Sequence, residues 1–266
     1  RLPERSLQAL AKDSNIRVVR YTAQFIPFVG PVQTNKIMAN KTVRQAMAYA
    51  VPYEEILKKV YFGEGTIIKS ITPEIFPNYT PDFWPYHLNP EKAKALLKEA
   101  GYPNGFDLKL SYSSAISEMA EAAILIKASF DKVGIRSTLD PLPAAVYTER
   151  KFKRELMCQV DNFQWPWIAD TAYVCWVYLA KPETSTMNTV YNNNSELNDI
   201  VTRMAYMANG PERTKLDLRA QQICGEEVPW IYMVNPGWRE AVRAEWTNFH
   251  WYPDNNIHFE WLYKKT

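Results

Sequence analysis

Phe106-Asp107-Leu108-Lys109-Leu110-Ser111-Tyr112 alternates apolar and polar residues, the period of a strand with one buried face. A helix from about Ser117 to Val133 follows and stops at Gly134, and Ile135 to Leu139 reads as a second strand. This is a β-α-β unit. A further helix, Ala144 to about Lys153, precedes a strand in which Leu156, Cys158 and Val160 alternate with Met157, Gln159 and Asp161. Strands and helices that keep alternating favour an α/β fold, with a sheet covered by helices.

Upstream, Asn89 is an N-cap, Pro90 takes the first helical position, and Ala93, Leu96, Leu97 and Ala100 form the buried stripe of a helix closed by Gly101. Residues 66 to 88 carry Pro73, Pro77, Pro81 and Pro85 among many aromatics without a period, and read as an ordered but irregular segment. Before them, Asn40 caps a helix from about Lys41 to Val51, and Pro52 opens a second helix that ends before Gly63 and Gly65. A short helix around Leu7 to Ala11 leads into a strand from Ile16 to Phe25, after which Pro27, Gly30 and Pro31 are expected to force a loop. Downstream, helices are expected from Leu197 to Met207 and from Glu212 to Glu227, then a strand from Val228 to Val234 and an aromatic-rich tail from Trp246 to Trp261.

The chain has 266 residues, enough to bury a sizeable core, with 47% hydrophobic and 23% charged residues. No apolar run approaches the ~20 residues that cross a bilayer as a helix. The 31 Lys and Arg against 29 Asp and Glu leave +2, with no basic cluster, so nucleic acid is excluded as an expected partner. Cys158, Cys175 and Cys224 form no CxxC pair, His87, His250 and His258 do not cluster, and no metal site or cofactor is expected. Catalytic signatures such as G-x-S-x-G, H-E-x-x-H and a Gly-rich phosphate loop are absent. The absence of an initial Met at Arg1 points to a processed or truncated start.

Aromatics reach 14%, with nine Trp and sixteen Tyr, a composition suited to stacking and apolar contact. The candidate site is the strand end Asn162-Phe163-Gln164-Trp165-Pro166-Trp167-Ile168-Ala169-Asp170, where one acid stands among large aromatics. That arrangement suits a cation. The competing reading makes the tryptophans core and Asp170 the N-cap of a helix beginning at Thr171. Trp165, Trp167 and Tyr173 could line side-chain pockets, and Asp161 with Asp170 could serve as an acid pair for glycoside hydrolysis.

Three stretches in order carry a resemblance: Thr42-Val43-Arg44-Gln45-Ala46-Met47-Ala48-Tyr49-Ala50, then Asn89-Pro90-Glu91-Lys92-Ala93-Lys94-Ala95-Leu96-Leu97-Lys98-Glu99-Ala100-Gly101-Tyr102-Pro103, then Gln221-Gln222-Ile223-Cys224-Gly225-Glu226-Glu227-Val228-Pro229-Trp230-Ile231-Tyr232. They resemble the periplasmic solute-binding proteins of peptide and nickel ABC importers. The resemblance implies the C-terminal lobe of a two-lobed, type II periplasmic binding protein, with a mixed sheet flanked by helices. Residues 25–234 would form the ligand-binding lobe, and residues 1–24 and 235–266 would belong with a missing N-terminal lobe. The implied partners are a peptide-like ligand and a membrane ABC permease. The implied location is the periplasm, or the extracellular face with a lipid anchor. Trp167-Ile168-Ala169-Asp170 matches the family's W-x-x-D, which assigns Asp170 to a ligand's α-amino group, and Tyr232 would reach the cleft from the C-terminal strand. Thr171-Ala172-Tyr173 departs from the family's usual Asp-Pro. A receptor of the same fold for an oligosaccharide or a metal chelate, and a carbohydrate-active enzyme, are the alternatives.

Overall fold

The computed structural model describes residues 2–21, 25–164, 170–250 and 259–264. Along the chain come α1 (Glu4–Leu10), β1 (Ile16–Tyr21), β2 (Phe25–Pro31), α2 (Lys41–Ala50), α3 (Tyr53–Lys59), β3 (Thr66–Ile67), α4 (Pro90–Glu99), β4 (Phe106–Ser113) and α5 (Ser117–Asp131). They are followed by β5 (Ile135–Leu142), α6 (Ala144–Phe152), β6 (Cys158–Gln164), α7 (Thr171–Tyr178), α8 (Ser195–Met204), α9 (Pro211–Glu227), β7 (Ile231–Tyr232), β8 (Val234–Asn235) and β9 (Trp238–Arg243). The local signals account for most of this order. Asn40 accepts from the Thr42 amide at 2.9 Å and Asn89 from the Lys92 amide at 3.0 Å, each satisfying an amide that the first helical turn leaves without a partner. Gly101 ends α4 at φ +89°, a conformation that side chains resist.

The expected β-α-β unit is β4-α5-β5, with the two strands parallel and α5 packed on both. Phe106, Leu108 and Leu110 are buried while Asp107 and Lys109 are exposed, as the alternation requires. The five-stranded sheet runs β5-β4-β6-β2-β7. β4 is parallel to β5 and β6, whereas β2 is antiparallel to β6 and β7, so the sheet is mixed as expected.

β2 overturns the expected loop, because Phe25-Ile26-Pro27-Phe28-Val29-Gly30-Pro31 is an interior strand buried along its whole length. Its prolines are tolerated where the ladder has room. The Pro27 carbonyl accepts from the Met233 amide at 2.8 Å, just past the two-residue pairing with β7, so the missing proline N–H faces the end of that ladder. Gly30 lies beside Gln159 of β6, and a Cβ there would stand 2.8 Å from that side chain.

β1 and β9 form a separate antiparallel ribbon, registered from Ile16 with Arg243 to Tyr21 with Trp238. β9 was hidden from periodicity because its buried position is an arginine. Arg239 is bonded to Glu4 at 2.8 Å and to Glu118 at 2.9 Å, and Arg20 reaches Glu4 at 2.7 Å. This buried network ties the ribbon to α1 and α5.

Candidate functional site

Asp170 stands directly before α7, in extended conformation, as its N-cap. Oδ1 accepts from the amides of Ala172 at 2.8 Å and Tyr173 at 3.4 Å, and Oδ2 accepts from the Arg213 guanidinium. The capping reading is therefore realised, and the carboxylate carries a cation of the chain's own. Arg213, in the first turn of α9, also donates to the carbonyls of Met204, the last residue of α8, and of Met207 just past it. One guanidinium thus joins the end of α8 to the start of α7. Sequence reasoning missed Arg213, which is charged yet turned to the buried face of α9 with Asp217 and Ala220, and carries no local signal for this role.

Tyr173 is half-buried and shares a cavity of about 420 Å³ with Asp170, Trp176, Met204, Met207 and Arg213. Trp165 and Trp167 lie outside the described residues. Tyr232 corrects the expectation that it reaches the cleft. β7 pairs with the interior strand β2, so Tyr232 is fully buried, with its ring 4.3 Å from that of Trp84. Among the described residues its hydroxyl finds no hydrogen-bond partner, and burial pushes the phenol well above its usual pKa. The two acids weighed as a hydrolase pair are each met by a cation: Asp170 by Arg213, and Asp161 by Lys151 at 2.7 Å. Asp161 is buried.

A second cavity, of about 320 Å³, opens where β1 ends and β2 begins, with Tyr21, Phe25, Lys69, Glu74 and Tyr79 in its wall. Thr72, also in that wall, meets Thr171 hydroxyl to hydroxyl at 2.8 Å, so the start of α7 separates the two cavities. The irregular segment supplies much of the second wall. α9 holds that segment: Gln221 accepts from Ser70 at 2.9 Å and donates to the Asn78 carbonyl at 2.8 Å. The Tyr86 hydroxyl donates to the Gly225 carbonyl at 2.9 Å. Sequence reading chose none of the residues of this wall for the site, because a segment ordered by a distant helix has no period of its own.

Residues 1–185 match the family described as bacterial extracellular solute-binding proteins, family 5 middle. A glutathione-binding protein of Shigella flexneri is 28% identical over 268 residues, covering 97% of this chain and 52% of that protein. Heme-binding protein A of Haemophilus influenzae is 31% identical over 237 residues, covering 83% of this chain and 39% of that protein. A solved structure, the ABC transporter-associated periplasmic binding protein of Helicobacter pylori in complex with the peptide STSA, superposes with a TM-score of 0.89 at 22% identity, over 99% of this chain and 52% of that one. The chain spans about half the length of these relatives. With two of the three signature stretches and the whole β-α-β unit inside the matched residues, the chain belongs to family 5 of the bacterial extracellular solute-binding proteins.

Proposed function

We propose that this chain is the C-terminal ligand-binding lobe of a two-lobed receptor that captures a peptide-like ligand in the periplasm, or on the outer face of the membrane, and hands it to an ABC permease. The observation that carries the reading is the β1/β9 ribbon, separate from the main sheet and adjoining the cavity at the start of β2. Two strands running side by side in opposite directions suit a pair of crossings to a second lobe, with residues 1–24 and 235–266 on its side. Ligand contacts are then assigned to Trp165 and Trp167, which lie outside the described residues, to Asp170 and Tyr173 at the start of α7, and to the wall of Phe25, Lys69 and Tyr79. Closure follows from differential contact: a ligand that touches both lobes stabilises the closed arrangement over the open one.

A receptor of this kind performs no covalent step, so its ligand is recovered unchanged. Mass spectrometry of the ligand co-purifying with the full-length protein is expected to identify a peptide or peptide conjugate. Recovery of an oligosaccharide or a metal chelate would instead support a receptor of the same fold for those ligands. Calorimetry is expected to give the full-length protein an affinity at least about 100-fold above that of residues 1–266 alone, since one lobe offers only half the contacts and each factor of ten is about 1.4 kcal/mol. Equal affinities would contradict the two-lobed mechanism.

A further inference from the structure

We propose that Arg213 is a specificity-determining residue. By holding Asp170 in an internal ion pair, it makes this receptor accept peptide ligands whose amino end carries no net positive charge as readily as those with a free ammonium. The inference rests on the receptor reading above and deepens it. An isolated carboxylate at a ligand rim selects a cation, because only a cation restores the charge balance and supplies charge-assisted donors. Asp170 is not isolated. Its Oδ1 is taken by two α7 amides, and its Oδ2 by a guanidinium whose side chain is only 14% exposed. The Asp170 side chain is itself only 31% exposed.

The guanidinium is fixed from a second direction. Arg213 donates to the Met204 carbonyl and to the Met207 carbonyl at 2.8 Å, so turning toward a ligand would strip the end of α8 of both bonds. A ligand ammonium arriving at Asp170 meets a carboxylate already balanced, and a guanidinium of its own sign beside it. The ammonium must either displace that guanidinium or bind without a charge partner. A neutral amide at the same end of the ligand suffers neither repulsion nor loss of a partner. Tyr173 and Trp176 in the same cavity offer it apolar surface.

The test uses full-length protein and two probes, an equimolar library of di- to tetrapeptides and the same library N-acetylated, with bound peptides read by mass spectrometry and affinities by calorimetry. Wild type is expected to discriminate between matched free and acetylated peptides by less than about threefold. Arg213→Gln, which keeps donors for the α8 carbonyls but removes the charge, is expected to favour the free amine by about tenfold, the scale of one uncompensated charge-assisted bond. Arg213→Lys is expected to restore the wild-type ratio. In the Arg213→Gln background, Asp170→Asn retains the capping oxygen and should abolish the new preference; a purely structural role for Arg213 would produce neither the gain nor its reversal. A wild type that prefers free amines by tenfold or more overturns the proposal while leaving the peptide-receptor reading intact. Binding of neither library overturns the peptide reading and this proposal with it.

Discussion

Asp217, one turn beyond Arg213 on α9, shows how charge is managed beneath the candidate site. It is 7% exposed and accepts from Asn78 at 3.1 Å and Gln221 at 3.2 Å. Burial raises its carboxyl pKa above the ordinary 3.8, the nearby Asp170 adds to the rise, and the hydrogen bonds oppose it. A folded-state pKa above the unfolded one means the native carboxyl holds its proton more tightly. The stability contributed by protonation is therefore full below the unfolded value and lost as pH rises through the raised one. Asp217→Asn, which removes the ionisable group but keeps one acceptor, is expected to raise Tm at pH 7, with the gap closing near pH 3.8. Thermal melts at the two pH values check this. A gap that does not change with pH would mean the carboxyl carries no ionisation penalty.

At the scale of the element, β2 is the instructive case, since two prolines and a glycine serve an interior strand. Gly30 supplies space rather than flexibility: Gln159 crosses close beside it and reaches Thr189 at 2.9 Å. Gly30→Ala would press a methyl group onto Gln159, costing about 1–3 kcal/mol, typical of overpacking in a well-filled interior. Urea unfolding of the full-length protein would measure the cost, and an unchanged midpoint would mean that Gln159 moves aside freely. α2 is the complementary case, because the residue that distinguishes its signature, Arg44, is buried. Arg44 bonds the Glu227 carbonyl at 2.8 Å and the Glu227 carboxylate at 3.1 Å, together with the carbonyls of Met38 and Ala39. Burial lowers its pKa to about 10, with Glu227 pulling the other way. A recognisable motif here is a tertiary joint between α2 and the end of α9.

For the whole molecule, the question is how the β1/β9 ribbon is held to the lobe. Glu4 has no exposed side-chain surface and balances Arg20 and Arg239, while Glu118 at the start of α5 takes the second Arg239 nitrogen. Glu4→Gln would leave the buried Arg239 with Glu118 alone and the partly exposed Arg20 with Glu64 alone, a loss of about 1–3 kcal/mol. Hydrogen exchange in the full-length protein is expected to show the loss first in residues 16–21 and 238–243, with the β4, β5 and β6 amides protected as before. Uniform loss over the whole lobe would mean that the network supports the core rather than the ribbon.

What the sequence by itself determined is the set of features written within one turn or one strand. The caps Asn40 and Asn89, the β4-α5-β5 unit, and the α/β order follow from local hydrogen bonding and from periods of 2 and 3.6 residues. The family signatures were legible because they are contiguous. Tertiary structure alone decided β2, where the end of the β7 ladder accommodates Pro27 and the close passage of Gln159 accounts for Gly30, and β9, whose inward position holds an arginine matched by two distant carboxylates. It also decided the candidate site. The residues around Asp170 allowed both a helix cap and an anchor for a cation, and both readings were chemically sound. The partner that separates them, Arg213, is 43 positions away. The balance of charge at a half-buried carboxylate such as that of Asp170 depends on which side chains the fold brings within about 3 Å of it, and no local pattern records that distance.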